Sequence, residues 1–104
     1  MEIFAKKSLG QHFLHDTSAI RAICDAGNIL EGDRVLEIGP GTGMLTAELL
    51  ARGAVVVACE IDQRSIDVLE VKFSEYITNK KLFIFNHDVQ KELPQEIQTL
   101  LTDD

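Results

Sequence analysis

The chain of 104 residues carries 10 basic and 17 acidic side chains, a formal net charge of −7, and 45% of its residues are hydrophobic. This composition is typical of one globular domain and argues against a disordered, fibrous or free-standing nucleic-acid-binding chain, the last of which would be basic. No apolar run approaches the roughly 20 residues that span a bilayer, and no secretion signal is expected at the start. Cys24 and Cys59 lie outside any Cys-x-x-Cys pattern. We therefore expect reduced thiols and a cytoplasmic location.

The predicted elements alternate between helices and short apolar strands. The first helix begins with Asp16 or Thr17 as its cap and runs to about Ala26. Further helices are predicted over residues 44–52, 63–77 and 95–101. Strands are predicted over residues 35–38, 54–59 and 81–86. The second strand is apolar without alternation, which is typical of a parallel strand buried on both faces. The order predicts an α/β fold with a Rossmann-like start.

A glycine-rich segment, residues 37–43, joins the first predicted strand to the second helix, with glycine at Gly39, Gly41 and Gly43. Glycines there allow a tight turn and a close ligand approach, and the following helix N-terminus suits a carboxylate or phosphate. The segment is not a dinucleotide fingerprint, because Met44 stands where the third glycine would be. It also lacks the Gly-Lys-Ser/Thr ending of a P-loop. A turn without a ligand is the alternative.

Acidic side chains follow the next two predicted strands. Glu60 comes directly after one strand, where a carboxylate can accept hydrogen bonds from ribose hydroxyls, and Asp88 comes just beyond the next. Because the carboxyl ends of parallel strands share one edge, we expect both to lie near the glycine loop. Glu60 could instead be a surface carboxylate, and Asp88 could form an Asx turn. Glu37 could orient loop amides or face a ligand. No histidine has a partner at metal-ligand spacing, so no metal site is predicted.

The pattern formed by the 37–43 segment, Glu60 and Asp88 resembles that of the class I S-adenosyl-L-methionine (SAM)-dependent methyltransferases. More narrowly, residues 7–14, Lys-Ser-Leu-Gly-Gln-His-Phe-Leu, are similar to the N-terminal motif of the rRNA adenine N6-dimethyltransferases of the small ribosomal subunit. The resemblance runs from Lys6 to about Leu93 in the order and spacing of that family. It implies a Rossmann-like class I methyltransferase fold, of which the chain holds the first three parallel strands with their helices.

The resemblance implies SAM-dependent N6-dimethylation of two adjacent adenosines near the 3′ end of small-subunit ribosomal RNA. The glycine loop would hold the methionyl part of SAM, Glu60 its ribose hydroxyls and Asp88 its adenine amino group. His12 and Leu14 would close over the cofactor. Many family members have asparagine in place of His12, and histidine, which can also donate a hydrogen bond, occurs there as well. The implied cofactor-binding residues are His12, Leu14, Gly39, Gly41, Gly43, Glu60 and Asp88.

The chain lacks the later parts of the family pattern. The Asn-Leu-Pro-Tyr motif that positions the target adenine does not occur, and neither do the later strands and the C-terminal helical domain. We therefore expect residues 1–104 to be an N-terminal part of the SAM-binding domain, with no catalytic residue and no methyltransferase activity alone. The predicted strand at 35–38 would then be a bare sheet edge, which favours a dimer or a swapped assembly. Alternatives are a non-catalytic SAM-binding or RNA-binding relative, such as the mitochondrial transcription factors, and a large-subunit rRNA adenine methylase.

Overall fold

The computed structural model describes the backbone of residues 2–5 and all atoms of residues 16–102. Within those residues, strands and helices alternate, except that two helices follow the third strand in succession. The strands are β1 (Glu2–Ala5), β2 (Arg34–Ile38), β3 (Val55–Glu60) and β4 (Leu82–Asn86). The helices are α1 (Thr17–Ala26), α2 (Met44–Ala51), α3 (Gln63–Lys72), α4 (Ser74–Thr78) and α5 (Gln95–Leu101). The predicted α/β fold, with three parallel strands and their helices, is confirmed.

The sheet has the order β1-β2-β3-β4, and every neighbouring pair is parallel. β1 was not predicted, because four residues at the start of a chain are too short to give a clear strand pattern. It pairs along β2, with Ile3 opposite Leu36. The prediction that β2 is a bare edge is therefore wrong: backbone from the same chain occupies that edge, and the reason for expecting a dimer there disappears.

The two faces of the sheet carry different helices. Alternating residues of β3 separate the faces: Val56 and Ala58 lie in a cluster with α1, α2 and α3, whereas Val57 and Cys59 lie in a smaller cluster with α5. All but the last residue of β3 are buried, as its unbroken apolar sequence predicts. Side chains on both faces thus fix the sheet between helical layers and leave its carboxyl edge for loops.

The predicted helix over residues 63–77 is interrupted. α3 ends at Lys72 and α4 begins at Ser74, because Phe73 between them leaves the helical conformation, with φ −115° and ψ 29°. The Phe73 side chain is buried, 6% exposed, in the cluster shared by α1, α2 and α3. Periodicity did not reveal this break, since Phe73 continues the apolar spacing of the helix.

The two cysteines are free and buried, one on each face of the sheet. Burial raises the pKa of the Cys24 thiol and that of the Cys59 thiol to about 11, so both are neutral near pH 7. This placement agrees with the expectation that both cysteines are core residues with free thiols. In the part of the chain that the structure describes, no helix is both long and apolar enough to cross a bilayer.

Candidate functional site

The glycine loop between β2 and α2 depends on a backbone that other residues rarely adopt. Gly39, Gly41 and Gly43 have φ values of +66°, +60° and +88°, which lie in the left-handed region that favours glycine. The Gly39 N–H donates to the carbonyl of Cys59 at 2.8 Å, and the Gly43 N–H donates to the carbonyl of Pro40 at 3.0 Å. The first bond ties the loop to the end of β3, and the second closes the turn that starts α2.

Gly43 is also required by packing. A Cβ at this position would lie 2.7 Å from Cε2 of Phe73 and 2.9 Å from Cδ2 of Leu69. The missing side chain of Gly43 therefore makes room for Leu69 of α3 and for Phe73, which follows that helix. Lys72 at the end of α3 holds the same loop from outside, because its Nζ donates to the carbonyl of Thr42 at 3.0 Å.

The N-terminus of α2 points out of the glycine loop without a side-chain cap. The N-cap residue is Gly43, which has no side chain that could accept a hydrogen bond from the first N–H groups of the helix. The first N–H groups of a helix lack intrahelical acceptors and carry partial positive charge. Together with the turn at Gly39 and Gly41, this end of α2 suits a carboxylate from a bound molecule.

A buried polar pair lies directly beneath the loop. Glu37 near the end of β2 and Thr46 in the first turn of α2 are each 1% exposed, and the Thr46 Oγ1 donates to the Glu37 Oε1 at 2.5 Å. Sequence reasoning singled out Glu37 but missed Thr46. The available signal was a hydroxyl residue in the otherwise apolar Met-Leu-Thr-Ala start of α2.

Glu60 ends β3 and is partly exposed. Its Oε2 accepts from the backbone N–H of Asp62 at 3.0 Å. Because a carboxylate has about four acceptor sites, this bond leaves capacity for hydroxyl groups of a ligand. Asp62 itself caps α3, and the Arg64 side chain and backbone N–H hold the pKa of that carboxyl below its usual range. Asp62 therefore caps α3, whereas Glu60 lies at the carboxyl end of β3.

Asp88 lies two residues beyond β4 and is partly buried. Its Oδ1 accepts from the N–H of Gln90 at 2.9 Å, so the Asx turn considered from the sequence is present. The same carboxylate retains acceptor capacity, and the turn therefore fixes Asp88 without excluding a ligand contact. The neighbouring His87 has its Nε2 buried with no hydrogen-bond partner among the described residues.

The sheet brings the three sequence-predicted segments to one edge. Ile38 is opposite Cys59, and Glu60 is opposite Asn86, so the loops after β2, β3 and β4 are adjacent. His12 and Leu14 lie outside the described residues. Residues 16–102 contain no group of three or more side chains that could hold a metal ion. The polar groups at the edge are carboxylates, which accept hydrogen bonds, and backbone amides, which donate them.

This parallel sheet, with a glycine turn after one strand and carboxylates after the next two, forms a Rossmann-like α/β domain, a class of fold that binds ligands at the carboxyl ends of its strands. A model of the ribosomal RNA adenine dimethylase family matches residues 4–102. The chain belongs to that family.

Similar proteins agree with this assignment. The chain is 46% identical over 99 residues to ribosomal RNA small subunit methyltransferase A of Staphylococcus carnosus, covering 94% of this chain and 32% of that protein. It is 41% identical over 93 residues to the protein of the same name from Dehalococcoides mccartyi, covering 89% and 31%. The chain thus spans about a third of the length of these curated relatives.

A solved structure is also similar. The chain aligns with a Pyrococcus horikoshii protein described as an RNA methyltransferase, with a TM-score of 0.62 and 26% identity. The alignment covers 82% of this chain and 45% of that one. The likeness therefore extends over most of the sheet and helices described above.

Proposed function

We propose that this chain is the cofactor-binding part of an enzyme that dimethylates N6 of adjacent adenosines in small-subunit ribosomal RNA, with SAM as methyl donor. Family membership and the names of the relatives support the reaction and the RNA substrate. Those names also favour the small subunit over the large one. Such an enzyme works on ribosomal RNA in the cytoplasm, and no membrane partner is proposed.

The polar groups at the sheet edge fit the chemistry of SAM. The methionyl carboxylate is an anion that suits the uncapped start of α2, and Gly39 and Gly41 allow the backbone to pass close to it. Glu60 would accept hydrogen bonds from the ribose hydroxyls, and Asp88 from the adenine amino group. The observation that carries the proposal is the convergence of the three loops that hold these groups.

The exposed side chain of Ile61 adds an apolar surface next to Glu60. It is 58% exposed directly after Glu60, and an aliphatic side chain there would cover one face of a purine. His12 and Leu14 would close over the cofactor from the N-terminal segment, as the family resemblance implies. SAM, when bound, supplies an electrophilic methyl group, and the residues of this chain bind and orient it.

The target base needs more than these residues. The exocyclic amine of adenine is a poor nucleophile because its lone pair is delocalised into the ring, so the reaction depends on positioning the flipped base in a shaped pocket. No Asn-Leu-Pro-Tyr motif occurs in residues 1–104. We therefore propose that these residues bind the cofactor and do not methylate RNA alone.

The test is isothermal titration calorimetry with S-adenosylhomocysteine, the demethylated product of SAM, on the chain and on Glu60→Gln. This substitution keeps an oxygen acceptor for the Asp62 N–H and removes the charge. Losing hydrogen bonds to a charged group costs about 1.5–3 kcal/mol, which weakens binding about 10- to 150-fold. Glu70→Gln, on the exposed side of α3, is the matched control and should leave affinity unchanged. Equal affinity of Glu60→Gln and the unmodified chain would contradict the assigned role of Glu60.

A radioactive methyl-transfer assay on small ribosomal subunits tests the second part of the proposal. We expect no incorporation into small-subunit rRNA from the 104-residue chain. Methylation of adenosine by this chain alone would show that a target-base pocket is present after all.

A further inference from the structure

The buried pair of Glu37 and Thr46 stands out within the apolar core. Glu37 lies on the same face of β2 as Val35, which belongs to the hydrophobic cluster that includes α2. It stands two residues before Gly39, the first glycine of the loop. Thr46 follows Leu45 in α2, and both are buried. Its hydroxyl crosses from helix to strand to reach Oε1 of Glu37.

Such a pair contributes little to the stability of the fold by itself. Burying polar groups carries a desolvation cost, and apolar groups of the same shape in place of both partners can be nearly neutral or stabilising. The bond joins the end of β2 to the first turn of α2, the two elements that the glycine loop connects. Its position therefore couples the carboxylate to the geometry of residues 39–43.

We propose that Thr46 is a positioning residue for the cofactor site: its hydroxyl holds the Glu37 carboxylate in place and thereby keeps the glycine loop in the conformation that accepts the cofactor. The expected effect of Thr46 on cofactor binding rests on the proposed function. The expected effect of Thr46 on the conformation of the loop does not require a cofactor. Thr46 touches no ligand in this scheme and acts only through Glu37.

The variants separate the hydroxyl from the volume of the side chain. Thr46→Val keeps the shape and removes the donor, and Thr46→Ser restores the donor in a smaller side chain. Thr78→Val, at an exposed position at the end of α4, is the matched control. Each chain is first compared by thermal unfolding, so that a general loss of stability is measured separately.

The first measurement is amide hydrogen exchange of the free chain, resolved by NMR. Losing this buried hydrogen bond is expected to speed exchange at the Gly39 and Gly43 amides about tenfold in Thr46→Val. Thr46→Ser should stay within about threefold of the unmodified chain, since it keeps the donor. Unchanged loop exchange in Thr46→Val, equal acceleration across all strands, or no rescue by serine would each overturn the proposal.

The second measurement is the affinity for S-adenosylhomocysteine in a double-mutant cycle with Glu37→Gln. If Thr46 acts through Glu37, Thr46→Val weakens binding about tenfold in the unmodified chain and changes it little in the Glu37→Gln background. Additive losses would contradict action through Glu37. If the unmodified chain does not bind S-adenosylhomocysteine, the proposed function fails for this chain, and the exchange measurement still decides whether Thr46 positions the loop.

Discussion

Replacing Gly43 by alanine should destabilise the chain by two separable effects. At φ +88°, an L-residue adopts a left-handed conformation that costs about 1–2 kcal/mol. The new Cβ would also lie 2.7 Å from Phe73 and 2.9 Å from Leu69, and relieving such overpacking typically costs about 1–3 kcal/mol. The sum is about 2–5 kcal/mol, a large part of the roughly 5–15 kcal/mol by which a domain is stable.

Gly32→Ala is the matched control for this prediction. Gly32 has nearly the same φ, +86°, but a Cβ there would meet nothing within 4 Å. Urea unfolding followed by circular dichroism should show a loss of about 1–2 kcal/mol for Gly32→Ala, and the additional loss in Gly43→Ala measures the contact with α3. Phe73→Leu should recover part of that additional loss when combined with Gly43→Ala. Equal losses for the two glycine variants would refute the claim that Gly43 is required by packing.

Two further predictions concern the cysteines and the first strand. Because burial raises the pKa of Cys24 and Cys59 from 9.0 to about 11, their thiolate fractions at pH 8 fall about 100-fold, and iodoacetamide should modify them slowly until urea unfolds the chain. Because the thiols ionise at a lower pH in the unfolded chain than in the folded one, their contribution to stability is retained below pH 9 and lost as the pH rises towards 11. Rapid modification of the native chain by iodoacetamide would contradict the burial of the two thiols. Deleting residues 1–5 should uncover the edge of β2 and increase self-association in sedimentation velocity, whereas an unchanged distribution would show that β1 does not protect that edge.

Local signals in the sequence were sufficient for several elements. Asp16 predicted the start of α1, and its side chain accepts from the N–H groups of Ser18 and Ala19. α5 has the predicted bounds, and the apolar run of β3 correctly indicated a strand covered on both faces. These features depend on neighbouring residues alone, which is why a single sequence contains enough information to predict them.

Other features depend on contacts between distant segments. β1 exists through pairing with β2, the break at Phe73 brings this side chain against the glycine loop, and the role of Thr46 appears only when α2 is packed on Glu37. No local pattern encodes these contacts. The candidate site was predictable as a set of loops at one sheet edge, but the packing that holds the loop in shape was not.

Chemical-shift mapping by NMR tests the central claim, that the three loops at the carboxyl edge of the sheet form one cofactor site. S-adenosylhomocysteine is titrated into the labelled chain, and the backbone amide shifts are followed residue by residue. The account predicts that shifts cluster at residues 39–43, at Glu60 and Ile61, and around Asp88, with α5 unaffected. Shifts confined to another surface, or no shifts at millimolar ligand, would contradict it.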